Sequence, residues 1–268
     1  MFEITLNDPK IVKGIFEAIN AIVTETIINF TPSGISLSAI DEGRICLVII
    51  KLDKDDFDGY VCDKEYKLGL NIEDMVKILK RSSNDIITLK HEDNSSIINI
   101  IMKNTASKKS RTFSLKLIDI SDSGIKPENL MNIKYKASVS IPIAYLDESI
   151  KDADIFSETL SVILSNKDGI IFKAQGQNGE MKTELDKDDD GIEEFNIEEE
   201  GEGSFALEYL KNIIKINSIS DRISISLNLN TPLKCQFKVL SNSSFIYFLA
   251  PRVEEEPEVE EDIQIEEE

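Results

Sequence analysis

Two spacings of apolar residues take turns along the chain. Positions 2–6 and 34–40 alternate apolar with polar, the period of a strand that buries one face. Between them Ile11, Val12, Ile15, Ile19, Ile22 and Val23 recur at three and four residues, so the stretch opened by Asp8 and Pro9 predicts a helix with one apolar stripe. β-branched runs at 27–30, 34–40 and 45–52 predict three strands, punctuated by Pro32-Ser33-Gly34 and Asp41-Glu42-Gly43 turns. Asn71 is placed to cap a second helix, with Asp74 near the reciprocal capping position and Ile72, Met75, Val76 and Leu79 facing inward. Strands at 86–90, 97–102 and 111–117 complete the series.

The same series starts again near Tyr135. Thr31-Pro32-Ser33-Gly34-Ile35-Ser36-Leu37-Ser38-Ala39 and Asn166-Lys167-Asp168-Gly169-Ile170-Ile171-Phe172-Lys173-Ala174 each run from a turn ending in Gly to alternating residues ending in Ala, 135 positions apart. That offset also sets Leu70, Ile72, Met75, Ile78 and Leu79 on Phe205, Leu207, Leu210, Ile213 and Ile214. Two matches in one register, at about half the chain length, make a duplication the economical explanation. Helices are then expected at 142–153 and 207–216. The implied organisation is a domain at 1–117, a linker at 118–134, a second domain at 135–252 and a tail at 253–268. The linker mixes turn formers with isolated apolar residues, as a segment lying on a surface does.

Hydrophobic residues make up 41% of the 268 positions, enough for a real core and against wholesale disorder. No run approaches the roughly 18 uncharged apolar residues of a membrane span. Met-Phe-Glu-Ile lacks the basic start and apolar core of a signal peptide, so an intracellular protein is expected. The net charge of −20 argues at first sight against a nucleic-acid partner, since binding one means neutralising phosphates with Lys and Arg. Location changes that. Residues 253–268 hold ten acids and no base, and 186–202 hold ten acids and one Lys, so the rest of the chain carries only −1. The tail, with Pro257 inside it, has the composition of a self-repelling disordered segment. Asp188-Asp189-Asp190-Gly191 misses the alternating ligands and closing Glu of a calcium loop, and a solvated acidic loop is expected there.

Cys46, Cys62 and Cys235 are odd in number and form no CxxC pair, which argues against a disulfide framework or zinc site and for small buried hydrophobes. His91 is the single histidine, too few for a histidine metal cluster or triad-type chemistry; its polar neighbours predict a surface turn. There is no phosphate loop, dinucleotide fingerprint or nucleophile elbow, and Gly176-Gln177-Asn178-Gly179 and Gly201-Glu202-Gly203 read as hairpin turns. A non-enzymatic protein without cofactor or metal is expected. What remains is charge placement. The predicted helices carry Lys10 and Lys13, then Lys77, Lys80 and Arg81, then Lys151, then Lys211 and Lys215, mainly opposite the apolar stripes. One such residue is an ordinary solvated charge. Their recurrence on equivalent helices points to a basic surface that touches phosphates without reading bases.

Several stretches, in order and spacing, resemble the eukaryotic and archaeal sliding-clamp family called proliferating cell nuclear antigen. They are Met1-Phe2-Glu3 with its helix, Leu47-Val48, Phe57-Asp58-Gly59-Tyr60-Val61-Cys62-Asp63, Lys77-Ile78-Leu79-Lys80, Asp85-Ile86-Ile87-Thr88-Leu89 with Glu92-Asp93-Asn94, and Leu249-Ala250-Pro251 before an acidic tail. The resemblance covers nearly the whole chain. It implies an α+β clamp fold of two similar domains, each with two helices packed on antiparallel sheets. Three subunits would close head to tail into a pseudo-sixfold ring around duplex DNA, helices inside. By matched position the subunit interface joins Thr112, Phe113, Ser114, Leu115, Lys116 and Leu117 of one copy to Met181, Lys182, Thr183, Glu184 and Leu185 of the next. The helix cations above would face DNA. Ile40, Arg44, Ile45, Leu47, Pro232, Phe248, Ala250 and Pro251, with Ile125 and Pro127 from the linker, would receive partner peptides ending in an aromatic or aliphatic plug.

The implied partners are a clamp loader, DNA polymerase, flap nuclease and ligase. The implied location is the cytoplasm of an archaeal cell, or the nucleus of a eukaryotic one. Gly14, Asn20, Glu148 and Glu208 stand at positions commonly basic in the family, Arg44 at a frequent His and Phe248 at a frequent Tyr. Two alternatives stand beside this reading: one subunit of a heterotrimeric or checkpoint-type clamp, and an acidic interaction scaffold that works without DNA.

Overall fold

The computed structural model describes residues 1–121 and 127–252; Ile125 and the acidic tail at 253–268 lie outside the described residues. In the first half β1 (Phe2–Leu6) leads into α1 (Pro9–Asn20), then β2 (Glu25–Thr31), β3 (Gly34–Ile40) and β4 (Cys46–Asp53). β5 (Gly59–Cys62) and β6 (Tyr66–Asn71) precede α2 (Ile72–Leu79), and β7 (Asp85–His91), β8 (Ile97–Asn104) and β9 (Ser110–Lys116) follow it. One helical turn, α3 (Glu128–Met131), interrupts the linker. The second half repeats the order with β10 (Ala137–Pro142), α4 (Ile143–Ala153), β11 (Thr159–Ser165), β12 (Gly169–Gly176) and β13 (Gly179–Leu185). β14 (Glu193–Ile197), β15 (Gly201–Ala206), α5 (Leu207–Ile213), β16 (Arg222–Leu227), β17 (Leu233–Val239) and β18 (Ser243–Leu249) complete it.

Local chemistry accounts for the helix starts. Asp8 Oδ1 accepts the Lys10 N–H at 2.8 Å ahead of Pro9, and Asn71 Oδ1 accepts the Asp74 N–H at 2.8 Å. The Asp74 carboxylate turns to Lys77 Nζ at 3.1 Å rather than back to the cap. The duplication is visible in backbone detail. Gly34 and Gly169 open equivalent strands with φ of 146° and 78°, and a Cβ on either would lie 2.1 or 2.2 Å from the carbonyl oxygen of Leu52 or Leu185. Only glycine fits such a turn.

Among the described residues all the strand pairings are antiparallel, in three sheets ordered β5-β1-β7-β8-β9, β13-β12-β11-β15 and β14-β10-β16-β17-β18-β4-β3-β2-β6. The third crosses from one half to the other where Ser244 through Leu249 of β18 run against Lys51 through Cys46 of β4. One hydrophobic core extends through both halves, with Phe2, Phe30, Phe172, Phe205, Phe237 and Phe245 fully buried in it. A satellite cluster of Leu47, Ile49, Ile246 and Phe248 lies on the opposite face of β4 and β18. α1 packs on α2 and on the 3-10 turn at Ile214–Ser218 from the second half. Gly14 permits that crossing, since a Cβ there would lie 2.4 Å from Ile219 Cγ2.

Several expectations are corrected. The helix expected at 207–216 tightens to 3-10 geometry after Ile213, which buries Ile214 and Ile216. β6 was hidden in the sequence because Leu70 and Ile72 continue directly into the helical pattern of α2, while Tyr66, Leu68 and Leu70 bury one strand face. The acidic stretch is not wholly a loop: Glu193–Ile197 pairs with β10, across a register shift where Glu194 takes φ 52°. Gly201 and Gly203 lie inside a strand paired with β11, because the chain here crosses between sheets and makes no hairpin. His91 is buried in β7 at 4% exposure, its Nδ1 2.9 Å from the Ile97 carbonyl oxygen and its ring against Phe2 and Tyr66. Cys46 and Cys235 are buried as expected, and burial pushes the Cys235 thiol up to about 12, whereas Cys62 is half-buried on an edge strand.

Candidate nucleic-acid and partner interfaces

The basic residues singled out in the sequence lie on or beside the helices, but they are not equally placed. Lys80, Lys151, Lys211 and Lys215 come together from both halves in the wall of a groove of about 740 Å³, with Glu17, Asn20 and Asp147. Lys10, Lys13, Lys77 and Arg81 are outside that wall; Lys13 is half-buried and the other three are exposed. Most of the groove cations already hold carboxylates. Lys80 meets Glu17 at 3.9 Å, Lys151 meets Asp147 at 2.7 Å and Lys211 meets Asp154 at 2.5 Å. Lys77 meets Glu73 at 2.8 Å and Asp74 at 3.1 Å, and its pKa is raised first by the Glu73 bond and then by the Asp74 bond. Lys215 donates to Asn212 Oδ1 at 2.7 Å. The helical face is therefore mixed in sign. Exposed pairs of this kind contribute little to stability and exchange readily, so a phosphate can replace a carboxylate.

A second surface gathers the residues expected to bind peptides. Leu47 and Phe248 are buried in the satellite cluster and Ile40 packs on it. Sequence reasoning missed Ile49 and Ile246, although the two-residue period of β4 and β18 places them on the same face as Leu47 and Phe248. It also missed Leu130 of α3 and Tyr135, which pack on the same cluster from the linker and the first turn after it. Tyr135 donates its hydroxyl to the Pro232 carbonyl at 2.8 Å, bringing Pro232 beside them. Pro127 lines a neighbouring cavity of about 650 Å³ with Ile40, Ile49 and Ile120, between the linker and the outer face of β2, β3 and β4. Ala250 and Pro251 follow β18 half-buried.

Arg44 and Ile45 are exposed on a turn built around Asp41. Asp41 Oδ1 accepts the N–H groups of Ile45 at 2.7 Å and Cys46 at 2.6 Å, and Oδ2 accepts that of Gly43 at 3.0 Å. Arg44 is held in the left-handed region at φ 55°. The Ile45 carbonyl accepts the Ala250 N–H at 2.9 Å, which sets these two residues, both expected to bind peptide, side by side.

The third surface is a pair of sheet edges. β9 and β13 are each the last strand of their sheet. Thr112, Ser114 and Lys116 are exposed, while Phe113, Leu115 and Leu117 lean on the core. On β13 Lys182 and Glu184 are exposed and paired with each other, Met181 and Leu185 lean on the core, and Thr183 is half-buried between them. Each edge offers unpaired backbone groups to another strand.

Comparison with known proteins places these surfaces in context. Residues 1–124 match the family model for the N-terminal domain of proliferating cell nuclear antigen, and residues 129–252 match that for its C-terminal domain. The chain is 31% identical over 258 residues to a protein of Methanothermobacter thermautotrophicus named DNA polymerase sliding clamp, covering 96% of this chain and 100% of that one. The crystal structure of the proliferating cell nuclear antigen of Thermococcus kodakaraensis superposes with a TM-score of 0.86 at 21% identity, over 94% of this chain and 100% of that chain. That likeness establishes the fold. Among the described residues no helix is long and apolar enough to cross a membrane.

Proposed function

Because the chain belongs to the proliferating cell nuclear antigen family, we propose that it is a DNA sliding clamp, three copies of which close head to tail into a ring around duplex DNA. One observation carries this reading. Inside the chain β18 of the second half pairs with β4 of the first, and in the duplicated order β9 is the counterpart of β18 and β13 the counterpart of β4. A second copy that lays its β13 on β9 repeats the internal junction, and Thr112 to Leu117 then meet Met181 to Leu185. Repetition of one heterologous contact closes a ring when its rotation permits, and it removes both exposed edges.

On that ring Lys10, Lys13, Lys77, Lys80, Arg81, Lys151, Lys211 and Lys215 face the duplex. Their contacts with phosphate are weak because Lys77, Lys80, Lys151 and Lys211 each trade a carboxylate for it. Weak contact suits sliding: the ring stays on DNA by topology, and the polymerase it holds gains processivity without any bond being made or broken by the clamp. Polymerase, clamp loader, flap nuclease and ligase dock short peptides on the outer face, where Leu47, Phe248 and Ile40 offer an apolar floor and Arg44, Ile45, Pro232, Ala250 and Pro251 a rim, with Pro127 of the linker nearby. Apolar anchors in a concave site are where such binding energy concentrates. The clamp works wherever the chromosome is, in archaeal cytoplasm or a eukaryotic nucleus.

The test is retention on DNA. Loaded onto nicked circular DNA by a clamp loader, the protein is expected to co-elute with it through gel filtration and to be lost once the circle is cut. Equal retention on circular and linear DNA would sink the topological reading. Light scattering of the purified chain is expected to give a trimer.

A further inference from the structure

The turn that carries Arg44 and Ile45 belongs to the first half, yet one of its supports comes from the second. Tyr209 on α5 donates its hydroxyl to Asp41 Oδ2 at 2.8 Å, across 168 positions of sequence. The same carboxylate accepts the N–H groups of Gly43, Ile45 and Cys46, while the Arg44 N–H donates to the Asp41 carbonyl at 3.0 Å, so the turn is built on this one residue. Gly43 is packed against this pair: a Cβ there would lie 2.9 Å from Asp41 Oδ2 and 3.3 Å from the Tyr209 hydroxyl. Burial, and then the Asp41 bond, push the Tyr209 phenol up to about 12, which keeps it a donor at neutral pH.

We propose that Tyr209 is a positioning residue for partner-peptide recognition: by holding one oxygen of Asp41 it keeps the Gly43–Cys46 turn in the shape that presents Arg44 and Ile45 beside Ala250. The proposal rests on the peptide-pocket reading given above. Its physical content is the rotation of one carboxylate. With Oδ2 held by the phenol, Oδ1 stays aimed at the Ile45 and Cys46 N–H groups. Without it Oδ2 keeps only the Gly43 N–H, the carboxylate can turn partly toward water, and the turn that holds Arg44 in the left-handed region is loosened. Tyr209 touches no peptide itself.

Tyr209→Phe deletes the hydroxyl and leaves the ring on the core. Asp41→Asn replaces the Oδ2 acceptor with a donor. A fluorescein-labelled short peptide bearing two adjacent phenylalanines is titrated onto the full-length protein by anisotropy. Each variant is expected to bind about tenfold more weakly, the low end of the scale of one lost hydrogen bond to a charged group. The double variant is expected to bind no more weakly than the worse single one, because both break the same link. Light scattering and circular dichroism of Tyr209→Phe are expected to match the parent, which separates a role at the pocket from general damage to the fold. Parental peptide affinity in Tyr209→Phe, or fully additive losses in the double variant, overturns the positioning role while the pocket stands. Failure of the parent protein to bind the peptide overturns the pocket and the positioning role with it.

Discussion

One carboxylate ties the first half to the turn that precedes the last strand. Asp56 accepts the N–H groups of Ser241 at 3.2 Å and Asn242 at 2.9 Å, the Asn242 amide at 3.2 Å and the Ser243 hydroxyl at 2.5 Å. Desolvation alone raises its pKa, but the bonds from Ser243, Asn242 and Ser241 together outweigh it and hold the carboxyl below the ordinary carboxylate value. The folded protein thus favours the ionised form. The resulting stability is present above the ordinary carboxylate range and is lost as pH falls through the lowered pKa. Asp56→Ala is expected to cost roughly 2 to 3 kcal/mol in denaturant unfolding at neutral pH. The gap between variant and parent is expected to narrow below about pH 4, where an ordinary Asp takes up its proton; an undiminished gap at low pH would contradict the linkage. Nothing in the sequence announces this residue. Asp56 stands in an acidic run that reads as solvated, and its partners are 185 and more positions away. His91 was misplaced for a related reason: polar neighbours describe the solvent side at the end of an interior strand, and the ring points to the other side.

Elements with long, regular apolar spacing were legible, and short or interrupted ones were not. α1, α2 and α4, and the strands at Phe2–Leu6 and Gly34–Ile40, stand where the spacing puts them. β5 is too short to show a period, β14 is masked by its glutamates, and α3 is a single turn. Of the surface proposed to take peptides, Leu47 and Phe248 were named through the family resemblance, while Leu130 reaches the same cluster through a linker whose path no local pattern encodes. The edge strand β9 has an anchor of its own. Asp85, with a side chain 2% exposed, accepts Arg111 Nη2 at 2.8 Å, and that guanidinium also donates to the Arg81 carbonyl at 3.0 Å. The Ser83 N–H and then Arg111 hold the Asp85 carboxyl low against the opposing effect of burial. Arg111→Met strands a buried carboxylate, and a loss of roughly 3 kcal/mol is expected in urea unfolding. Adding Asp85→Asn is expected to return part of that loss, since the two residues share one network. A single variant with the parental midpoint would show that β9 is held by its ladder alone.

At the scale of the molecule, the duplication was legible and the nine-stranded sheet that joins the halves was not, because sheet order is a long-range property. That sheet specifies a sharp test of assembly. The hairpin closing Gly176 on Gly179 makes Gly179, Met181, Thr183 and Leu185 face β12, so the N–H of Lys182 faces the free edge. Lys182→Pro removes an outward donor and leaves the β12 ladder intact. The variant is expected to keep its circular dichroism and to scatter light as a monomer; a trimer would place the contact elsewhere. In the proposed ring the same pairing recurs at six seams, three inside copies and three between them. If an internal seam parts, its edges stay tethered by the 118–134 linker at an effective concentration on the order of millimolar and meet again at once. The seams between copies have no tether. Joints alike in cross-section thus differ in kind: half are leashed and half are latches, and it is by a latch that a duplex is let in.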